Sequence, residues 1–336
     1  MTAIDMHFHV VPPTFVEALR RGDLAAIVES EALKDRERLT FRAPPGIVVE
    51  PDISLRPHQY DARMLMNAMS SRRLDAAAVS SPPELFLYWA TPELGARIAR
   101  TMNDGMAQLA RAHPDRFMPL ATLPMQDPLL AARELEYAIT SAGLYGAAVC
   151  THVCGIVLDD AIFAPVFACA ERLGVPIFLH PQNTGDISRM EDFHLWNVIG
   201  FPLETVVAGS RLIASGLFER HPRLNVVLAH GGGFFPYQLG RLDHAYRVRP
   251  SAFKGLPKPP SAYLENIYCD SLTHDGTALR FLIDCMGFDH VVLGTDYPFS
   301  MACDTPVEVV ESLALPARQS AAVIGGTLSR LLGRRS

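Results

Sequence analysis

His7 and His9 stand two positions apart near the start of the chain, inside the apolar segment AIDMHFHV at residues 3–10. Alternate side chains of a β-strand point to the same face, so a strand here would place both imidazoles side by side. Two imidazoles at that spacing can bind one metal ion. The segment therefore predicts half of a metal site at the end of a strand.

Three more polar residues follow apolar runs further along the chain. His180 follows VPIFL, His230 follows LNVVLA and Asp296 follows HVVLGT. A histidine at the end of a single strand is more often a hydrogen-bonded structural residue than a metal ligand. The joint occurrence of HxH, LHP, AHGGG and GTDYPF at the ends of four runs is much harder to explain in that way. We therefore interpret the four motifs as parts of one site.

His7, His9, His180 and Asp296 would provide three imidazoles and one carboxylate. Such ligands suit Zn²⁺, with Mn²⁺, Fe²⁺ or Co²⁺ as alternatives. We expect one ion per subunit, with a coordination position left open for water. The remaining histidines fall outside this pattern and are interpreted as structural, except that His152 and His194 could approach the site.

The chain alternates short apolar runs with amphipathic stretches, which is the pattern of alternating strands and helices. The predicted strands are 3–10, 76–81, 117–124, 146–153, 175–181, 224–232, 266–271 and 290–298. Apolar strands alternating with helices predict a parallel sheet that is buried on both faces, and the number of strands fits a (β/α)8 TIM barrel of the α/β class. In such a barrel the carboxyl ends of the strands form one rim, where the candidate residues would come together.

The alternation is interrupted between residues 11 and 60, where prolines are frequent and the segment RLTFRAPPGIVVEP occurs. We predict a β-hairpin or small lid for this insertion. A second insertion at residues 249–263 contains further prolines and is interpreted as a loop. Residues 1–336 are treated as a single barrel domain that includes the lid at 11–60.

The composition indicates a globular protein with a large core, since 49% of the 336 residues are hydrophobic and 20% are charged. The 30 Lys and Arg residues are outnumbered by 36 Asp and Glu, which argues against nucleic acid as a main partner. We find neither a secretion signal nor an apolar run long enough for a membrane helix. The six cysteines fall mostly in apolar segments, so we expect a cytoplasmic protein.

The sequence resembles the amidohydrolase superfamily, and within it the decarboxylase branch typified by 2-amino-3-carboxymuconate-6-semialdehyde decarboxylase. The likeness extends over nearly the whole chain. It is carried by IDMHFHVVPP, FLYWATPE, RFMPLATLPMQDP, GAAVCTHV, IFLHPQN, GFPLETVVAGSRLIASGLFERHP, LAHGGGFFPYQLGR and VVLGTDYPF. By this resemblance, the four predicted ligands match the family's metal ligands, and His230 matches its catalytic histidine.

The resemblance also implies substrate-binding residues. Arg56 falls where the family places an arginine that grips a substrate carboxylate, and Arg241 matches an arginine that enters the neighbouring site across a homodimer interface. A guanidinium group binds a carboxylate through two parallel hydrogen bonds, which suits both roles. Phe299 and Trp196 are candidates for the apolar wall around the substrate, with core packing as the alternative.

The activity implied by the resemblance is metal-dependent, non-oxidative decarboxylation of a small unsaturated or aromatic carboxylic acid. A metal ion lowers the pKa of bound water from 15.7 towards about 7, and a nearby imidazole can take or give a proton at neutral pH. His230 would act as this general acid and base. Two alternatives remain open: a hydrolase of a lactone, amide or ring C–N bond, and a metal-binding protein without turnover, which would have no need of His230.

Overall fold

Short, parallel, buried strands form the centre of the protein. The computed structural model describes residues 2–44, 53–182, 188–253 and 255–333. In chain order the strands are β1 Ile4–His9, β2 Val28–Ala32, β3 Glu37–Phe41, β4 Ile53–Leu55, β5 Ala76–Ser80, β6 Phe117–Pro119, β7 Ala121–Thr122, β8 Ala147–Cys150, β9 His152–Val153, β10 Ile156–Val157, β11 Ile177–His180, β12 Val226–Leu228, β13 Ile267–Asp270 and β14 Val291–Val292. Every residue of β1, β5, β8 and β11 is buried, as expected for strands covered on both faces.

The parallel strands follow one another in space as they do in the chain. Hydrogen-bonded ladders give the orders β1-β5-β6 and β7-β8-β11-β12-β13-β14. β6 and β7 are two halves of one predicted strand, interrupted at Leu120. Each predicted strand therefore contains an observed one, and the TIM-barrel prediction is confirmed.

Individual backbone hydrogen bonds join the end of the barrel to its beginning. Among the described residues, no continuous ladder of strand hydrogen bonds pairs β14 with β1. The Met6 N–H donates to the Leu293 carbonyl at 2.8 Å, and the His9 N–H donates to the Tyr297 carbonyl at 2.7 Å. The Asp296 N–H donates to the His7 carbonyl at 2.7 Å. This junction places Asp296 next to the histidines of β1.

Helices cover the outside of the barrel. They are α1 Pro13–Arg20, α2 Ala62–Ser71, α3 Pro92–Ala112, α4 Pro128–Tyr137, α5 Ala164–Leu173, α6 Phe201–Ala214, α7 Leu217–Arg220, α8 Phe235–Val248, α9 Gly276–Met286, α10 Pro306–Ser312, α11 Ala317–Ala321 and α12 Thr327–Leu331. Proline occupies the first turn of α3, α4, α6 and α8, where its missing N–H costs no hydrogen bond. None of the described helices is both long and apolar enough to cross a membrane.

The insertion after β1 contains a small antiparallel sheet in the order β2-β3-β4. Of the segment RLTFRAPPGIVVEP at residues 38–51, residues 38–41 belong to β3 and 45–51 lie outside the described residues. The buried Glu37 carboxylate accepts hydrogen bonds from Arg20 and Ser30, and so ties the sheet to α1. The ring of Phe41 meets Trp89 edge to face with centroids 6.2 Å apart, which brings the sheet to the barrel rim. Its role as a lid stays a prediction.

The second insertion is more regular than the predicted loop. Short 3₁₀ helices occupy Pro250–Phe253 and Pro260–Asn266. Each begins at a proline, whose fixed φ favours the first turn of a helix. The loop interpretation of residues 249–263 is therefore wrong over these two stretches.

Asn103 on α3 compensates for the interruption between β6 and β7. Its side chain is buried; its amide donates to the Thr122 carbonyl at 2.9 Å and to the Glu134 carboxylate at 2.8 Å. Its side-chain oxygen accepts from the Thr122 N–H at 2.8 Å. Both backbone groups of Thr122 thus depend on one side chain.

Replacement of this side chain should destabilise the barrel. Asn103→Ala leaves the Thr122 N–H and carbonyl buried without these partners, so we expect a loss of about 3 kcal/mol in the free energy of unfolding. Thr101→Ala, two residues away on the same helix, removes only a hydroxyl bonded to the Arg97 carbonyl and should change stability by less than about 0.5 kcal/mol. Urea unfolding measures both, and equal effects would contradict the role given to Asn103.

Candidate metal centre

Three imidazoles surround one carboxylate oxygen at the carboxyl ends of the strands. The distances from Asp296 Oδ1 are 3.0 Å to His7 Nε2, 3.2 Å to His9 Nε2 and 3.8 Å to His180 Nε2. The Nε2 atoms of His7 and His9 lie 3.1 Å apart. The exposed fraction of these side chains is 7% or less. The structure thus brings the four predicted ligands together.

The partners of the other ring nitrogens orient the imidazoles. His180 Nδ1 is 2.6 Å from the Pro181 carbonyl, and His7 Nδ1 is 2.7 Å from the carboxylate of Asp270. A carbonyl or ionised carboxylate oxygen can only accept, so these two Nδ1 atoms carry a proton. His9 Nδ1 lies 3.2 Å from the Ser81 carbonyl and 3.2 Å from the Ser80 hydroxyl. The three Nε2 atoms face into the site.

This arrangement fits a bound cation. Asp296 Oδ1 and His180 Nε2 are buried atoms without a hydrogen-bond partner in the structure. The Nε2 atoms of His7 and His9 lie within 3.2 Å of that same oxygen and 3.1 Å from each other. Three imidazole nitrogens and one carboxylate oxygen are a ligand set typical of Zn²⁺ or another divalent transition metal.

The pKa values in the site reflect the same crowding. Burial lowers the pKa of His180 to about 3. Burial also acts to lower the pKa of His7, but the charges and hydrogen bonds of Asp296 and Asp270 outweigh it and raise this pKa to about 10. Burial acts to raise the pKa of Asp296, yet the surrounding imidazoles hold it well below its usual range. The site therefore favours a negative carboxylate that faces positive charge.

His230 lies beside the group but faces a different oxygen. Its Nε2 is 3.5 Å from Asp296 Oδ2, whereas the other three imidazoles face Oδ1. Its side chain is also more exposed, at 16%. By distance alone, His230 could also bind a cation held at this site. The candidate ligand atoms of His7, His180, His230 and Asp296 all lie within 4.8 Å of one another.

The turn that carries His230 has an unusual backbone. His230 has a φ of 57°, and the three glycines that follow it also have positive φ values. A β-carbon on Gly233 would lie 2.4 Å from the Pro202 carbonyl oxygen, so the HGGG sequence is needed both for conformation and for space.

Two buried carboxylates at the site were not singled out from the sequence. Asp270, the last residue of β13, accepts hydrogen bonds from His7 Nδ1 and from the backbone of His230 and Gly231. Asp5 accepts from the Thr295 hydroxyl and from the His7 N–H, and burial raises its pKa to about 7. The signal available for Asp270 was its place at the end of an apolar run, the criterion that identified the histidines.

A small cavity lies at the strand next to the one that carries His180. Strand pairing sets Cys150 opposite His180, and Cys150 lines this cavity of about 30 Å³. Its lining residues are Tyr88, Trp89, Cys150, His152, Cys154 and Gln182. His152 lines this cavity, whereas His194 is exposed at the end of the 3₁₀ helix Asp192–His194, against Trp196.

The predicted substrate-binding residues differ in their positions. The Phe299 ring meets the His9 ring at 5.2 Å, so it borders the metal centre. Trp196 contacts Phe201 at 5.4 Å, and the Phe201 ring lies 6.4 Å from that of His230. Trp196 is therefore one ring removed from the site.

Arg56 and Arg241 are exposed. Neither guanidinium forms a hydrogen bond or ion pair with another described residue. No hydrogen bond or ion pair of the described residues joins either side chain to the four predicted ligands.

Comparison with known proteins is consistent with this geometry. The amidohydrolase family model matches residues 4–334. The 2-amino-3-carboxymuconate-6-semialdehyde decarboxylase of Dictyostelium discoideum is 33% identical over 317 residues, which cover 92% of this chain and 85% of that protein.

Two solved structures share the fold over almost the whole chain. One is 5-carboxyvanillate decarboxylase from Sphingomonas paucimobilis, with a TM-score of 0.81, 28% identity and 99% coverage of both chains. The other is dihydroxybenzoic acid decarboxylase from Polaromonas sp. JS666 with bound manganese and 2-nitroresorcinol, with a TM-score of 0.75, 25% identity and coverage of 100% of this chain and 98% of that one. The chain belongs to the amidohydrolase family.

Proposed function

We propose that this protein is a metal-dependent, non-oxidative decarboxylase of a small aromatic or unsaturated carboxylic acid. The observation that carries the proposal is the division of labour around Asp296, with three imidazole nitrogens directed at Oδ1 and His230 at Oδ2. The named decarboxylases among its relatives support the same reaction class. The single domain of residues 1–336 would act in the cytoplasm, in keeping with its six free cysteines.

His7, His9, His180 and Asp296 would hold one divalent cation, and His230 would remain outside its ligand set. A bound cation supplies positive charge that stabilises the negative charge developing on the substrate. Zn²⁺ is the ion we expect from the ligand types, and the manganese in the Polaromonas relative makes Mn²⁺ the second candidate.

His230 would deliver the proton that replaces the carboxyl group. Its Nε2 protonates the carbon that bears the carboxylate, the bond from that carbon to the carboxylate then breaks, and its electron pair restores the conjugated system as CO₂ leaves. Solvent returns a proton to His230. Histidine is the side chain best suited to such an exchange near neutral pH.

The residues around Cys150 would contact the body of the substrate. Trp89 and Tyr88 provide aromatic walls, and Phe299 borders the metal centre. Gln182 and His152 provide polar groups for ring substituents. Such a mixture of aromatic surface and few polar groups suits a flat, substituted ring or diene. Arg56 would bind a carboxylate at the entrance, and the insertion sheet would serve as the lid.

Loss of one ligand should remove the metal. We expect His180→Ala to bind well below one equivalent of any divalent metal, because its Nε2 has no other partner in the site. His113→Ala is the matched control, since His113 follows α3 at the amino end of the barrel strands and should leave metal content unchanged. Elemental analysis after extensive dialysis measures both; full metal content in His180→Ala would refute the ligand assignment.

Decarboxylation itself can be tested with a panel of acids. The metal-replete protein should release CO₂ from at least one of 2,6-dihydroxybenzoate, 5-carboxyvanillate and 2-amino-3-carboxymuconate-6-semialdehyde. His230→Asn should retain its metal but lose about 10²–10⁴-fold in kcat, the usual contribution of a general acid or base.

Two results would contradict these assignments. Metal loss in His230→Asn would make His230 a ligand. Turnover of lactones or amides without CO₂ release from any acid would favour the hydrolase alternative.

We also propose that the active form is a homodimer in which Arg241 reaches the partner's site. Arg241 lies on α8, and neighbouring outer helices expose apolar side chains that include Leu203 and Val207 on α6. Tyr237 on α8 and Phe281 on α9 are 74% and 47% exposed, and their rings contact each other at 6.2 Å. A second copy of the chain would cover this surface and give Arg241 a partner.

Subunit mixing tests the shared site. Arg241→Ala and His230→Asn should each be nearly inactive as homodimers, whereas a heterodimer regains one intact site that combines His230 of one chain with Arg241 of the other. Activity should rise with the fraction of heterodimers, measured after subunit exchange with differently tagged chains. No recovery despite proven exchange would leave the substrate carboxylate to Arg56 or to the metal.

A further inference from the structure

Asp270 has no exposed surface, and its carboxylate accepts four hydrogen bonds at the carboxyl end of β13. Oδ2 accepts from His7 Nδ1 at 2.7 Å and from the His230 N–H at 2.9 Å. Oδ1 accepts from the N–H groups of Gly231 at 2.7 Å and Leu272 at 3.1 Å. Because all four partners are donors, the ionised carboxylate is the form that satisfies them.

The first consequence concerns His7. Asp270 holds the proton on Nδ1 and leaves the Nε2 lone pair directed at the metal centre. The equivalent partners of His9 and His180 are neutral: the Ser81 and Pro181 carbonyls. A negatively charged acceptor makes the imidazole a stronger ligand than a neutral one does. His7 is therefore the ligand whose donor strength depends most on its outer partner.

The second consequence concerns the turn that carries His230. Four consecutive residues from His230 to Gly233 have positive φ values, and such a backbone is costly for a histidine. The N–H groups of its first two residues both converge on Asp270. The carboxylate therefore fixes the start of the turn, from which the His230 side chain extends towards Asp296 Oδ2.

We propose that Asp270 is a positioning residue that sets, through one carboxylate, both the tautomer of the metal ligand His7 and the backbone that aims His230. This inference rests on the proposed function for the roles of those two histidines. Asp270 itself need not touch substrate or metal. Its role follows from its two carboxylate oxygens. Oδ1 accepts from the Gly231 N–H, and Oδ2 accepts from both the His230 N–H and His7 Nδ1.

Asp270→Asn is the informative change because it keeps the size of the side chain and removes the charge. Whichever way the amide turns, two of the four N–H donors would face an NH₂ group. We expect the dissociation constant for Mn²⁺ or Zn²⁺, measured by competition with a chelator, to rise about 10–100-fold. We also expect faster hydrogen exchange of the peptide that contains residues 229–233, measured by mass spectrometry on the metal-free protein.

Two further variants make the result specific. Glu134→Gln is the matched control, because Glu134 is a buried carboxylate with hydrogen bonds to Asn103 and Arg100 on the outer layer of the barrel. It should leave metal affinity and exchange of 229–233 unchanged. Asp270→Glu retains a charged acceptor and should bind metal more tightly than Asp270→Asn. If Asp270→Asn does not fold, Asp270→Glu is compared with the wild-type protein in its place.

The possible results separate this inference from the proposed function. Wild-type protein that binds no divalent metal would overturn the proposed function. Wild-type binding with unchanged affinity and unchanged exchange in Asp270→Asn would overturn only the role of Asp270. A lower melting temperature of the metal-free variant without any change in metal affinity would make Asp270 structural and would likewise overturn the inference.

Discussion

The convergence of three imidazole nitrogens on one carboxylate oxygen is the arrangement on which the rest of the site depends. The Nε2 atoms of His7 and His9 lie 3.1 Å apart, and both face Asp296 Oδ1. Asp296 Oδ1 and His180 Nε2 are buried without a hydrogen-bond partner, which is costly in an interior of low dielectric. A cation held by these atoms would satisfy them. The surrounding structure can thus be understood as a set of constraints that prevents the imidazoles from turning away.

Those constraints come from the barrel and from a layer of acceptors behind the ligands. Backbone hydrogen bonds between β1 and the segment after β14 bring Asp296 beside His7. The Asp5 carboxylate accepts a hydrogen bond from the Thr295 hydroxyl, which ties β1 to the same segment after β14. Because strands buried on both faces leave little freedom for backbone movement, the barrel restricts where the ligand atoms can lie.

The two oxygens of Asp296 face different groups, one suited to cation binding and one suited to proton transfer. In the proposed function Oδ1 would bind the cation, whereas Oδ2 lies 3.5 Å from His230 Nε2. A proton carried by His230 would then lie near the cation without His230 being one of its ligands. The cavity at Cys150 lies at the strand next to His180, so a substrate in contact with its residues would lie on the same side of the barrel. The relatives with this fold are decarboxylases of different acids, and variation in such a cavity is the simplest physical basis for that range.

The barrel and the grouping of His7, His9, His180 and Asp296 followed from the sequence because both depend on local, periodic rules. Strand alternation placed His7 and His9 on one face, and the common rim of parallel strands placed His180 and Asp296 near them. The roles within the site depended on tertiary structure. Only coordinates show that Asp270 meets His7 Nδ1, that His230 faces the second oxygen of Asp296, and that β3 pairs with both β2 and β4. Hydrogen-bond direction and side-chain orientation arise from contacts between residues far apart in the chain, and no local pattern encodes them.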